Sequence, residues 1–531
     1  MPSLMEENFK MSQSAEYDPL ITNQEDQSDV NPDAVPYEEA LKETGYGRFH
    51  FKVLALCGWA VSSDAIEVLS VSFLLPAASC DLDIGSTDKG WLNAIVFIGM
   101  LLGGYFWGSL ADHQGRRSIL MWSLTVNGIG VLASSVVQTF WAFLLCRFIS
   151  GIGVGGSIPV IFSYFTEFQP KEKRGMMISA LATFWMCGNI IAAGLAWAII
   201  PRDIGYISSS FKFSSWRIFV ATCAVPSLSS AFLFTMMPES PKFLLIAGKA
   251  SEAIKVLTKV HDSNFSHRKS KEYKIKSLIL ATDTSRAEYL EQHNGDVGCI
   301  AKLGTGCTVL KESTKQLFRP PLLKSTVLML IVNFVLAFGY YGLWMWFPEL
   351  FSRMKDGGSP CDHSNSNFIN QTSKNETTCN YKDNWVYFSG FMTALSNLPG
   401  NILTIFLMDR IGRKQLLAMS MVLSGVSVFF IPLIHNKYEN LGISCVFGAV
   451  STVGWNALDV LSAELFPTSL RSTAFGIMSG IGRIAAILGN LTFGELIDVH
   501  CAIPMIIVAA LLVFGGLASI KLPNTTKADI H

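Results

Sequence analysis

Apolar residues run along this chain in long blocks, each about as long as a helix needs to cross a hydrocarbon layer roughly 30 Å thick. A window of some 20 residues places them at 51–77, 90–108, 120–137, 142–165, 176–200 and 216–237, then at 325–350, 385–407, 416–434, 441–461, 474–497 and 503–522. The pattern predicts an all-α polytopic membrane protein with twelve transmembrane helices in two six-helix halves. The polar intervals complete the organisation: a tail over 1–50, a first half over 51–237, a connector over 238–324, a second half over 325–522 with a polar loop at 352–384, and a tail over 523–531.

Composition agrees, since 50% of the residues are hydrophobic and 15% charged, a balance that places the chain in the membrane class. With 41 basic against 41 acidic side chains, nothing suggests nucleic acid as a partner. The first fifty residues carry eleven acidic groups against Lys10, Lys42 and Arg48, which reads as a disordered acidic tail. They lack a signal peptide's basic start and apolar middle, so the N-terminus is expected in the cytosol.

Basic residues of short loops stay cytosolic. Arg116 and Arg117, then Lys171, Lys173 and Arg174, then Arg410, Arg413 and Lys414, all fall on one side of the twelve spans, and the Lys- and Arg-rich connector falls there too. The loop at 352–384 lands on the opposite face. It holds two glycosylation acceptors, Asn370 and Asn375, and Cys361 and Cys379 bracket them as an expected disulfide. The other cysteines mostly lie within apolar blocks, where a thiol behaves as a small hydrophobe.

The halves repeat each other. Asp112-x-x-Gly115-Arg116-Arg117 returns as Asp409-x-x-Gly412-Arg413-Lys414, an offset of 297 residues (409 − 112), and Glu167-x-x-Pro170-x-x-x-Arg174 returns as Glu464-x-x-Pro467-x-x-x-Arg471 at the same offset. One spacing shared by two motifs implies duplication, and duplicated halves imply a solute site between them near the midplane.

Candidate chemistry follows from the cost of charge in a bilayer. Asp64 and Glu67 stand in the first span one turn apart, so they share a face and can enter a wet cavity together. Two carboxylates this close do not readily ionise together, which suits them to carry a proton; the bland alternative is that they cap or pair with another helix. Arg147 in the fourth span can pair with one of them. Asp459 lies one turn beyond Trp455 in the tenth span, so a cation can sit between carboxylate and indole. Trp185 in the fifth span and Tyr340 with Tyr341 in the seventh can supply further walls, although such rings also serve interfaces and packing. At the cytosolic ends, Gly108, Asp112, Arg116, Arg117 and Asp409 with Arg413 suit gating, Gly108 by permitting close backbone approach. Glu167 with Arg174, and Glu464 with Arg471, are expected to form matching charge networks. The glycines from Gly151 to Gly156 lie inside an apolar span without the Gly-Lys-Ser/Thr ending of a nucleotide loop, so close helix packing explains them. No cysteine or histidine cluster has metal-ligand spacing, and no nucleophile stands with a base. The chain is therefore read as a non-enzyme without cofactor. Its expected partners are the lipid bilayer, a small-molecule solute and protons.

Gly108-x-x-x-Asp112-x-x-Gly115-Arg116-Arg117 with its echo resembles the signature loop of the major facilitator superfamily. Gly155-Gly-Ser-Ile-Pro-Val-Ile-Phe-Ser-Tyr-Phe-Thr-Glu167 and Trp455-Asn-Ala-Leu-Asp-Val-Leu-Ser-Ala-Glu464 are similar to the synaptic vesicle glycoprotein 2 family, over about 45–527. That resemblance implies a central ligand pocket lined at Trp185, Tyr340, Tyr341, Trp455 and Asp459. The large lumenal domain of those relatives has no room in 352–384, so roles tied to it do not transfer. Pro238-Glu-Ser-Pro-Lys242 and Leu522-Pro-Asn524 resemble motifs of sugar and organic-ion transporters, but the seventh span lacks the paired glutamines of sugar porters. Glu16, Leu20 and Ile21 resemble an acidic dileucine sorting signal read by coat adaptors, which favours a synaptic, endolysosomal or other cytoplasmic vesicle over the plasma membrane. The leading expectation is proton-coupled alternating access. A non-transporting vesicle protein that binds trafficking partners and a facilitative sugar carrier are the alternatives.

Overall fold

The computed structural model describes residues 35–207, 211–265, 273–279, 311–354, 361 and 383–523. Asn370, Asn375, Cys379, Glu16, Leu20 and Ile21 lie outside them, and so do the side chains of Asp112 and Asp409. Twelve helices among the described residues are long and apolar enough to span a membrane: Arg48–Ser79, Ser86–Ala111, Arg116–Val136, Phe140–Glu167, Lys171–Ile199 and Ser215–Phe234, then Leu323–Trp344, Asn384–Met408, Arg413–Leu433, Lys437–Leu465, Leu470–Leu496 and Ala502–Ser519. By the charge rule the end bearing Arg116, Lys171 and Arg413 is cytosolic; the opposite end is the outer one.

The seventh span departs from its expected single run. It stops at Trp344, and a separate short helix, Phe347–Arg353, starts with Pro348 in its first turn, where the missing N–H costs nothing. The eighth breaks at Ser396, three residues before Pro399, whose ring cannot continue an unbent helix. Glycine at 115 and 412 is a backbone requirement: both adopt φ near +95° (96° and 95°) where one span turns into the next, a region costly for any side chain. The two turns are the same position of the repeat. Within the first half the fourth span is pressed against its neighbours through the glycine run. A Cβ at Gly155 would come within 2.2 Å of the Met100 carbonyl in the second span, and one at Gly153 within 2.6 Å of the Asn127 amide in the third.

One expectation is corrected. The tail does not run unstructured to residue 50. From Val35 the chain forms a strand, Val35–Pro36, paired in parallel with Leu278–Ile279 of the connector, then a helix, Tyr37–Glu43. Apolar Tyr37, Ala40 and Leu41 drive this by burying against Leu244, Ala253 and Leu257 of the connector. Burial, with the charges of Glu167 and Glu38 beside it, holds the Tyr37 phenol well above its ordinary pKa, so it donates to the Glu167 carbonyl at 2.6 Å. Among the described residues Cys361 bonds to Cys501, with Cα atoms 5.1 Å apart, while Cys379, its expected partner, lies outside them. Cys501 stands at the turn between the eleventh and twelfth spans, which folding brings to Cys361.

Candidate functional site

The halves meet unequally along the membrane normal. At the outer end the second and eleventh spans touch backbone to backbone: a Cβ at Gly494 would lie 2.9 Å from the Gly90 Cα. There the fifth span also meets the outer part of the eighth, where the Trp197 indole N–H donates to Asn384 at 2.8 Å and its ring stacks on Phe391. A charge cluster seals the same end. Lys89 Nζ lies 2.9 Å from Glu349 Oε1, and Arg353 reaches Glu349 at 3.1 Å, Asp498 at 2.9 Å and the Ser86 hydroxyl at 2.9 Å. Lys89 and Ser86 belong to the first half, and the other three to the second. Toward the cytosol the matching glycines are not pressed in this way, since a Cβ at Gly108 of the second span or Gly476 of the eleventh would meet nothing within 4 Å. Gly108 therefore makes no close backbone approach in this conformation, contrary to its expected use, because the direction a Cβ would take there is open space.

Between these ends, at mid-membrane, aromatic side chains from both halves converge. Trp185 and Asn189 of the fifth span, Val68 and Leu69 of the first, and Tyr340, Tyr341, Trp344 and Met345 of the seventh line one small cavity, with room for about one water molecule. Trp455 closes its flank, its ring 6.0 Å from Tyr340 and 5.9 Å from Tyr341, and its buried indole N–H has no hydrogen-bond partner among the described residues. A solute larger than water enters only if these rings separate. Asp459, one turn further toward the cytosol, is exposed, and the Tyr341 hydroxyl lies within electrostatic reach of it. Of the five residues expected to line a pocket, Trp185, Tyr340 and Tyr341 line this cavity, Trp455 packs against the two tyrosines, and Asp459 stands one turn beyond Trp455.

Asp64 and Glu67 do not project into that cavity. Both are fully buried within the first half. Asp64 accepts from the Ser157 hydroxyl at 2.7 Å and from the Asn127 amide at 3.5 Å. Glu67 takes an ion pair from Arg147 at 3.1 Å and a hydrogen bond from Ser150, while Arg147 also donates to the Ser70 hydroxyl at 2.7 Å. The physical reason is the cost of an uncompensated charge in an apolar interior, which a guanidinium and several hydroxyls offset. Arg147 does pair with a first-span carboxylate, as the sequence allowed.

The cytosolic networks are also rewired. Glu167 pairs with Arg116 at 3.3 Å and Glu464 with Arg413 at 3.1 Å, one bridge in each half and both at the repeat offset. Arg174 instead bonds Glu38 at 3.1 Å and the Gln169 carbonyl, and Arg471 bonds the Phe466 carbonyl. The signature-loop arginine enters each half's motif from the neighbouring span and reaches the glutamate first. Arg117 holds the end of the sixth span through the Phe234 and Thr235 carbonyls, and its backbone N–H donates to Glu239.

Sequence reasoning missed Lys89, Glu349, Arg353 and Asp498, and also Arg483 of the eleventh span, whose Nη1 donates to the Met100 carbonyl across the halves at 3.2 Å. The cost argument applied to the carboxylates would have found Arg483, a cation well inside an apolar block. The outer cluster left no local signal, because Lys89 and Glu349 are 260 residues apart.

Comparison with known proteins agrees with this architecture. Residues 37–349 match the family described as "Sugar (and other) transporter", and residues 384–530 match the "Major Facilitator Superfamily". The chain is 35% identical to synaptic vesicle glycoprotein 2C of Rattus norvegicus, over 93% of this chain and 81% of that one. It is 34% identical to synaptic vesicle glycoprotein 2A of Homo sapiens (93% and 79%) and 33% identical to synaptic vesicle glycoprotein 2B of Mus musculus (96% and 88%). Among solved structures, the partially occluded inward-open conformation of the E. coli xylose transporter XylE superposes with a TM-score of 0.64 at 17% identity, over 90% of this chain and 99% of that one. At that identity the likeness speaks for the fold.

Proposed function

Because the chain belongs to the major facilitator superfamily and is a relative of the synaptic vesicle glycoprotein 2 proteins, we propose that it is a secondary transporter carrying a small polar or charged organic solute by alternating access. The observation that carries this reading is the mid-membrane aromatic cluster. It is built from Trp185 of one half and Tyr340, Tyr341 and Trp455 of the other, below a sealed outer end and above an exposed Asp459. Rocking of the halves would exchange the outer seal for a cytosolic one, and the solute would cross between them.

Proton coupling is part of the proposal, and the Glu67–Arg147 pair with Asp64 one turn away supports it. Neutralising Glu67 by a proton would release Arg147 from its countercharge and so change the preferred packing of the first half. The test is tracer uptake into proteoliposomes containing the full chain, across amines, organic anions and sugars, with and without a pH gradient. Asp459→Asn or Trp185→Ala should lower uptake of the accepted solute by about tenfold, the scale of one lost cation–aromatic or charge contact. Glu67→Gln should remove the response to the gradient. Absence of flux for every solute class would sink the transporter reading. The relatives' names favour a vesicle membrane as its location; co-fractionation with plasma-membrane rather than vesicle markers would refute that.

A further inference from the structure

Charges inside the spans are distributed differently in the two halves. In the first, Glu67 and Arg147 neutralise each other and Asp64 is held by Ser157 and Asn127, so little polar valence is left for a solute. In the second, two opposite charges stand away from the span ends, Asp459 in the tenth and Arg483 in the eleventh, and neither has an ion-pair partner among the described residues. Asp459 is exposed, one helical turn from Trp455, whose ring packs against Tyr340 and Tyr341 of the aromatic cavity. Among the described residues Arg483 donates only to a neutral acceptor, the Met100 carbonyl of the opposite half. The Tyr341 hydroxyl lies within electrostatic reach of both. The Trp455 indole N–H beside it is buried and has no partner among the described residues.

Each single-charge solute leaves this arrangement unbalanced. A monovalent cation at Asp459 brings a second positive charge toward Arg483, and an anion at Arg483 brings a second negative charge toward Asp459. A neutral sugar would desolvate both groups without answering either charge. A solute that carries both charges answers both.

We propose, resting on the transporter reading above, that the solute is a small zwitterion. Its ammonium faces Asp459 and the rings of Tyr341 and Trp455, and its carboxylate is taken by Arg483, which acts as the residue that determines specificity. A guanidinium suits the second task because its planar fork matches a carboxylate with two N–H donors. The rings suit the first because their faces attract cations, quaternary ammonium included.

The experiment compares matched probes on the purified full chain by ligand-induced thermal shift and by equilibrium binding. γ-Aminobutyrate, β-alanine and glycine betaine carry both charges; butyrate carries only the anion and butylamine only the cation. The expected result is that at least one zwitterion binds about tenfold or more tighter than either butyrate or butylamine. Arg483→Gln should bring that zwitterion down to the level of butylamine, and Asp459→Asn should bring it down to the level of butyrate. Arg483→Lys keeps the charge but loses the fork, so it should retain part of the preference; a role confined to holding the Met100 carbonyl would not produce that graded series. Equal binding of butylamine and the zwitterions, equal binding of butyrate and the zwitterions, or no zwitterion binding at all would overturn the proposal. Its failure is separable from that of the transporter reading. Zwitterion binding without uptake removes transport alone, whereas uptake of a sugar unaffected by Arg483→Gln removes the zwitterion alone.

Discussion

Arg147 and Glu67 are the sharpest case of what a single residue must do in this protein. Their side chains are 0% and 1% exposed, so neither charge has water to fall back on. Replacing one partner leaves the other buried without its countercharge, a loss of about 3–5 kcal/mol in comparable buried pairs. Glu67→Gln should therefore lower the thermal stability of the detergent-purified chain by an amount of that order. Asp64→Asn should cost far less, because Ser157 and Asn127 can hydrogen-bond an amide as they do a carboxylate. Equal losses for the two variants would mean that the ion pair contributes nothing specific. The same balance explains why these residues were legible as chemistry but not as geometry. Their cost in a bilayer can be read from sequence, whereas the partner that offsets it, 80 residues away, cannot.

Among the elements, the broken seventh span and the turn after the eleventh together make the outer seal. The short helix Phe347–Arg353 presents Glu349 and Arg353 to Lys89 and Ser86, and Asp498 closes on Arg353 from the other side. Burial acts to raise the Asp498 pKa, but hydrogen bonds from Ser86 and Arg353 and the charges of Arg353 and Lys89 outweigh it, so the carboxyl lies below its ordinary value. A group depressed in the sealed state stabilises that state above its ordinary pKa, and the contribution disappears as pH falls through the lowered value. Acidifying the outer side to below about pH 4 should therefore loosen the seal. A cysteine pair placed across the second and eleventh spans near Gly90 and Gly494 would then cross-link less readily. Asp498→Asn should lose that acid dependence and cross-link less at neutral pH as well; a response to acid unchanged by the substitution would place its origin elsewhere.

At the scale of the molecule, most of the architecture was legible because hydropathy and duplication are properties of the chain itself. The spans follow from apolar runs, and the 297-residue repeat returns in space as two positive-φ glycines, Gly115 and Gly412, and two bridges, Arg116–Glu167 and Arg413–Glu464. The rest depended on which distant segments meet. Cys501 resembled any thiol beside a span until folding set it against Cys361, 140 residues earlier. Glu38 resembled one acidic residue in a polar tail until Arg174 met it.

That N-terminal segment also says where to put a measuring stick. It is fastened to Glu167 through Tyr37, to Arg174 through Glu38, to Glu172 through Lys42 and to the connector through Val35, Ala40 and Thr44, all on the side of the first half. It should therefore travel with that half as a fixed platform. Fluorophores at residues 42 and 171 should keep one separation whatever the protein is doing, while a pair at 42 and 414 should change distance each time the halves swing. Drift in the first pair would show the platform detaching. A steady first pair beside a moving second would turn this small cytosolic fold into a ruler for watching single molecules cycle.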